Sequence, residues 1–232
     1  MTKKRIGTMA ACLALVGAVA VGGTLALLTS QSNEVKNTFS VGSDVYPDQA
    51  LTVDEAVVKQ EADGSYVAVN ETDNRTDGNV YNNLVAGTTV LKDPEFVLKA
   101  KSPVSWVVAR IDGVAELKNV SGYFKANSGW YKYDETTHDV REMTDTDAIA
   151  DGYYIYETTV NATETDVRIP SELFRTLSVG DVQAGEKLGD IYITGCAVQA
   201  VGDSIPEIID GATAETIMSE LPVEFTDDTY TN

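Results

Sequence analysis

Cysteine and histidine are nearly absent from this chain. It has two cysteines and one histidine in 232 residues. Cys12 lies inside an N-terminal apolar run, which leaves Cys196 alone in the remainder and excludes an intramolecular disulfide there. A single histidine, His138, removes the usual two-histidine zinc-protease helix and leaves only one base for any Ser-His-Asp arrangement. Basic residues are scarce as well, 17 Lys and Arg against 36 Asp and Glu, for a formal charge of −19. That balance excludes a nucleic-acid binder or a protein held to anionic membrane, since both need a basic surface.

The start of the chain is a secretory signal by composition. Lys3, Lys4 and Arg5 form a positive beginning, and no charged residue occurs from Ile6 to Leu28. Gly22-Gly23-Thr24-Leu25-Ala26 closes the apolar stretch with small residues. Cleavage is expected between Ala26 and Leu27. The alternative is an uncleaved membrane anchor, which the small residues at the end of the run disfavour. Removing residues 1–26 takes away three positive charges and no negative one, so the mature chain is still more acidic. Its length suits one domain with a substantial core. An exported chain without disulfides fits a Gram-positive bacterial exterior, so the Asn-x-Ser/Thr triplets at Asn70, Asn74, Asn119 and Asn161 read as coincidental.

Most of the remainder reads as short strands between turns. Residues 56–60 and 65–69 flank Ala62-Asp63-Gly64, a hairpin signal. Residues 96–100 and 105–111 are rich in β-branched and aromatic side chains. Residues 129–133 and 152–157 read as a further pair, and 190–201 as a long central strand. One helix is expected over 212–221, stopped by Pro222, with single helical turns within 115–124 and 171–176. The polar stretch 70–83 reads as a surface loop and the tail 226–232 as frayed. Many strands with little helix predict an all-β fold, a jelly-roll-like antiparallel β-sandwich with short helical segments.

Four stretches in order resemble one family. They are Gly22-Gly23-Thr24-Leu25-Ala26-Leu27-Leu28-Thr29 at the junction, Asn37-Thr38-Phe39-Ser40-Val41-Gly42, Asn83-Leu84-Val85-Ala86-Gly87 leading to Lys92-Asp93-Pro94, and Ala197-Val198-Gln199-Ala200. The chain is similar in these to the TasA and camelysin proteins, which are secreted and matured by a SipW-type signal peptidase. Ala86 stands where the family usually has proline. The resemblance implies a jelly-roll subunit of an extracellular biofilm fibre, whose freed N-terminal segment can add as a strand to the next subunit. Residues 27–41 are that segment, with Leu27, Leu28, Val35, Phe39 and Val41 as candidate anchors, and 42–225 the domain. The competing expectation is that this segment pairs with its own domain. The partners implied are the signal peptidase during export, further copies of the chain, and other matrix or surface proteins; no nucleic acid is expected, and no membrane after processing. The location implied is the matrix or cell surface of a Gram-positive bacterium.

Camelysin-type relatives are classed as metalloproteases, so a secreted protease is one alternative and a monomeric adhesin or ligand-binding module another. Against catalysis, His138 lies in the polar turn 134–139 with no second histidine, and no Gly-x-Ser-x-Gly turn occurs. No catalytic or metal-ligating residue is therefore nominated. Cys196 reads as a buried small hydrophobe. No cofactor is expected, and calcium at most weakly, at Asp145 and Asp147 or Asp227 and Asp228. The stretch Asp73–Gly78 begins like a calcium loop but puts Arg75 at a ligand position and Leu84 in place of the closing Glu. Trp130, Tyr131, Tyr133, Tyr153, Tyr154 and Tyr156 could form a ligand platform, although strand alternation sends some of them into the core.

Overall fold

The computed structural model describes residues 29–31, 50–169, 172–201 and 208–226, with only the backbone of 29–31 and of residue 224. The chain is an antiparallel β-sandwich with short helical segments, as the run of short strands with little helix predicted. The largest sheet orders its strands β1 (Thr29–Gln31), β15 (Tyr192–Gln199), β8 (Ser105–Asp112), β12 (Gly152–Tyr156), β10 (Trp130–Tyr133) and β11 (Val140–Glu142). A second sheet runs β13 (Val167–Arg168), β7 (Glu95–Leu98), β2 (Leu51–Ala56) and β5 (Arg75–Thr76). The third runs β3 (Val58–Gln60), β4 (Tyr66–Ala68), β6 (Thr89–Leu91), β14 (Phe174–Val179) and β9 (Val120–Phe124). Among these pairings β4 with β6 is the parallel one, through Tyr66 opposite Val90.

Strand alternation explains the core. The inner face of the large sheet offers Val107, Ala109, Ile111, Trp130, Tyr154, Tyr156 and Ala197. These pack on Leu51, Phe96 and Leu98 of the second sheet and on Val90, Phe124, Phe174 and Leu177 of the third. Trp130 is central: its ring lies 5.4 Å from Phe96 and 5.4 Å from Tyr156, both tilted, the offset geometry aromatic quadrupoles favour. Gly195 lets the sheets approach, because a Cβ there would lie 2.5 Å from Phe96 Cε1 and 3.0 Å from Leu51 Cδ2.

The outer face of the same sheet is covered too. Trp106, Val108, Tyr133, Tyr153, Ile155, Cys196 and Val198 form a second cluster with Ile209, Ala214, Ile217, Leu221 and Phe225. The covering element is α1 (Gly211–Ser219), with Asp210 capping its start by accepting from the Thr213 N–H at 2.8 Å. Ala214, Ile217 and Leu221 recur at the three- and four-residue spacing of one helical face. A short turn of helix, α2 (Val223–Thr226), follows Pro222. Burial on both faces is why β8 reads as a nearly unbroken apolar run. Arg110 is the exception within it. Its guanidinium donates to the Phe225 carbonyl at 2.8 Å, reaches Asp112 and lies over the Tyr153 ring, so it ties the C-terminal cover to the sheet.

The expected hairpin is present, β3 against β4 with Lys59 opposite Val67 and Gly64 at φ 92°. So is the aromatic pair, β10 against β12 with Trp130 opposite Tyr156. The helical turn expected within 115–124 is present as a 3-10 turn that starts one residue earlier, at Val114–Glu116, and Val120–Phe124 is strand. One local expectation is corrected: within 171–176, where a helical turn is expected, residues 174–176 belong to β14, in which Phe174 and Leu177 face the core. Substituting Gly195→Ala should destabilise the fold by about 1–3 kcal/mol through overpacking. Urea unfolding measures this, and an unchanged midpoint would mean the sheets do not meet as described.

Candidate functional site

The densest polar constellation lies where the second and third sheets meet, around a residue that the sequence placed in a surface loop. Arg75 forms strand β5, and its side chain is only 11% exposed. Its Nε donates to Asp54 Oδ1 at 2.8 Å and its Nη1 to Asp93 Oδ2 at 2.9 Å. Nη2 donates to the carbonyls of Asp54 and Asp93 at 3.0 and 3.1 Å and stands 3.4 Å from Glu95 Oε2. The guanidinium fork thus fills its donors from three elements at once. Arg168 of β13 grips the outer side, donating to both oxygens of Asp54 and to Glu95 Oε2 at 2.7–2.9 Å.

The Lys92-Asp93-Pro94 stretch supplies the other side. Asp93 is 1% exposed, and its second oxygen accepts from the Ala56 N–H at 2.9 Å. Pro94, lacking an N–H, stands just before the start of β7. Lys92 donates to Glu55 Oε2 at 2.8 Å, while Glu55 Oε1 accepts from the backbone N–H of Asn79 at 2.7 Å and from its Nδ2 at 3.0 Å. Tyr81 donates to the Leu91 carbonyl at 2.7 Å, and burial together with the nearby Glu55 and Asp93 charges pushes its phenol well above the ordinary range. Burial also acts to raise the Asp54 carboxyl, but hydrogen bonds and charge from Arg168 and Arg75 outweigh it and hold the group below the usual range.

Asp93, Glu95 and Glu172 each present an oxygen within 4.8 Å of the others, a hard-oxygen set of the kind that suits calcium. The chain's own cations already meet these groups. Arg75 contacts Asp93 and Glu95, while Arg175 and Lys125 reach Glu172 at 2.8 and 3.2 Å. The weak calcium candidates read from sequence are placed otherwise. Asp147 closes its own turn, with the Thr144 backbone and hydroxyl and Arg141 lowering its carboxyl to about 2. Asp145 is exposed on that turn, and Asp227 and Asp228 lie outside the described residues. His138 sits in the turn between β10 and β11 at φ 62°, paired with Glu215 of α1 at 3.1 Å.

The aromatic set divides as alternation requires. Trp130, Tyr154 and Tyr156 belong to the inner core, and Tyr133 and Tyr153 to the outer cluster, against which the half-buried Tyr131 packs. Five of the six are buried, so they do not form the open platform considered from sequence. Cys196 is fully buried, and desolvation pushes its thiol well above the ordinary range, the behaviour of an inert core residue.

At the edge of the large sheet, β1 pairs with β15 in antiparallel register, Thr29 opposite Val198 and Gln31 opposite Cys196. These residues belong to the segment considered as a donor, and here they lie along their own domain. Ala26, Leu27, Leu28, Val35, Phe39 and Val41 fall outside the described residues. No helix among the described residues is long and apolar enough to cross a membrane. No family model, curated protein or solved structure matches the chain.

Two measurements probe the ion network. Arg75→Met should cost about 3–5 kcal/mol in urea unfolding at neutral pH, because Asp93 would be left buried without its cation and Asp54 would keep only Arg168; a loss within that of a surface substitution would show the network to be peripheral. A depressed carboxyl stabilises the fold above its unfolded pKa, and that stability is lost as the pH falls through the folded value. The stability gap between wild type and Asp54→Asn should therefore be full at pH 7 and shrink below about pH 4. A gap independent of pH would remove Asp54 from the acid response.

Proposed function

We propose that the chain is a secreted structural protein of a Gram-positive cell surface or biofilm matrix, of the TasA and camelysin type. It assembles by exchanging its N-terminal strand between subunits. The observation that carries this reading is β1. Thr29–Gln31, close behind the proposed cleavage point, lie as a three-residue edge strand on β15, which is their one strand partner among the described residues. An edge position of that kind can be filled by an equivalent strand from a second copy, because main-chain hydrogen bonds do not depend on which chain donates them. The buried state of Cys196 and of most of the aromatic set supports a packing role for residues that a catalytic or ligand-binding reading would have used.

Removal of residues 1–26 frees the segment that bears β1. The high negative charge opposes close approach of subunits at low salt, so strand exchange has to supply the attraction. Comparison of residues 27–232 with a form beginning at Gly42, by electron microscopy and light scattering, decides the matter. Fibres are expected from the first and not from the second, and equal assembly of both would sink strand donation.

A further inference from the structure

The Glu55 carboxylate holds an amine on one oxygen and a carboxamide on the other. Lys92 Nζ lies 2.8 Å from Oε2, and Asn79 Nδ2 lies 3.0 Å from Oε1. From this geometry we infer a modification site: an intramolecular amide bond between Lys92 Nζ and Asn79 Cγ, formed with Glu55 as the proton carrier.

An ion pair alone would explain Lys92 and Glu55. It does not explain how Asn79 is held. Asn79 Nδ2 also donates to the Ala56 carbonyl at 2.8 Å, and its Oδ1 accepts from the Val58 N–H at 3.2 Å. Its backbone N–H donates to Glu55 as well, at 2.7 Å. The carboxamide is thereby fixed with its leaving nitrogen against the carboxylate and its carbonyl oxygen on a backbone donor. A backbone N–H at that oxygen stabilises the negative charge that develops when the carbonyl carbon is attacked. The Lys92 main chain is anchored too, because its backbone N–H donates to the Arg175 carbonyl at 2.8 Å.

Burial supplies the second requirement. The side chain of Glu55 is 4% exposed and that of Lys92 14%. The Tyr81 phenol, raised by burial first and then by the Glu55 charge, marks how dry and how close its ring is. In the reaction Glu55 takes the Lys92 proton across their 2.8 Å contact, which leaves a neutral, nucleophilic amine. That amine attacks Asn79 Cγ, forming the new C–N bond while charge gathers on Oδ1. The Cγ–Nδ2 bond then breaks as Glu55 returns the proton to the departing nitrogen. The ammonium and primary amide become a secondary amide and an ammonium ion, Glu55 is regenerated, and no oxidant or second substrate is consumed. Asn79, Tyr81 and Lys92 all line a groove of about 900 Å³ through which the ammonia can leave.

The bond would tie the segment after β5 to the end of β6, with Glu55 of β2 between them, a covalent brace in a chain whose domain cannot form a disulfide. Its existence is independent of strand exchange. Intact-mass measurement of the purified full-length chain, followed by proteolysis and peptide sequencing, tests it alongside Lys92→Arg and Glu55→Gln. Wild type should weigh one ammonia less than its sequence and yield a branched peptide joining Asn79 to Lys92. Both variants should show the full sequence mass. Lys92→Arg keeps the positive partner of Glu55, and circular dichroism checks that it folds. Wild type at full sequence mass, with Asn79 and Lys92 in separate linear peptides, would overturn the bond. Ammonia loss that persists in Lys92→Arg would assign the change to cyclisation at Asn79 and overturn it equally; a branched peptide in Glu55→Gln would overturn the role of Glu55.

Discussion

A buried guanidinium has to be met on every side, and much of the second sheet is arranged to meet Arg75. Its partners come from β2, from the residue before Pro94 and from β7, which are adjacent only in the folded chain. Each carboxylate then has a second tie: Asp54 and Glu95 to Arg168, and Asp93 to the Ala56 N–H. A network of this kind gains less from the attraction of its charges than it would lose if one member were removed. It therefore specifies one register of β2 against β5 and β7, and a shift by one residue would strand several buried charges together. With Cys196 alone and fully buried, this polar clamp and the two apolar clusters hold the domain without a disulfide.

How much of this could be read in the sequence depended on the range of the interaction. The β3–β4 hairpin was legible because Asp63-Gly64 marks its turn locally, and α1 because its apolar spacing and Pro222 are local as well. The two-sided burial of β8 could be suspected from Trp106-Val107-Val108-Ala109, but nothing there says that the partner is a helix a hundred residues later. Arg75 was misplaced for the same reason. A charged residue among Asn, Thr and Asp looks solvated, and its buried partners lie some twenty residues away on either side. The Lys92-Asp93-Pro94 stretch was noticed as a resemblance, and only the structure supplies its physics: a proline opening a strand, an aspartate inside the clamp and a lysine on Glu55.

The N-terminal segment and the ion clamp belong to different parts of the molecule and set different properties. β1 is held by the main chain along one edge, so its attachment is indifferent to the side-chain chemistry of the clamp. The clamp braces the sheet packed against the inner face of β8 and β15. An exchanged strand needs an acceptor edge that keeps its shape while its own strand is away. Gly195 of β15, set closely against Phe96 of β7 and Leu51 of β2, couples the acceptor edge to the second sheet through direct contact.

Acid acts on these two parts in opposite senses. Protonating surface carboxylates lowers the repulsion between highly negative subunits and so favours their approach. Asp54 resists protonation longer than a surface carboxyl because two arginines hold it, and once it yields the clamp is weakened. Between the ordinary carboxylate range and the depressed value of Asp54 there is an interval in which repulsion has fallen and Asp54 is still charged. The proposed strand exchange would be favoured in that interval, since two copies could meet while the acceptor edge remains braced. A covalent bond between Asn79 and Lys92 would widen it, because an amide does not titrate and holds the segment after β5 to the end of β6 after the carboxylates have been protonated.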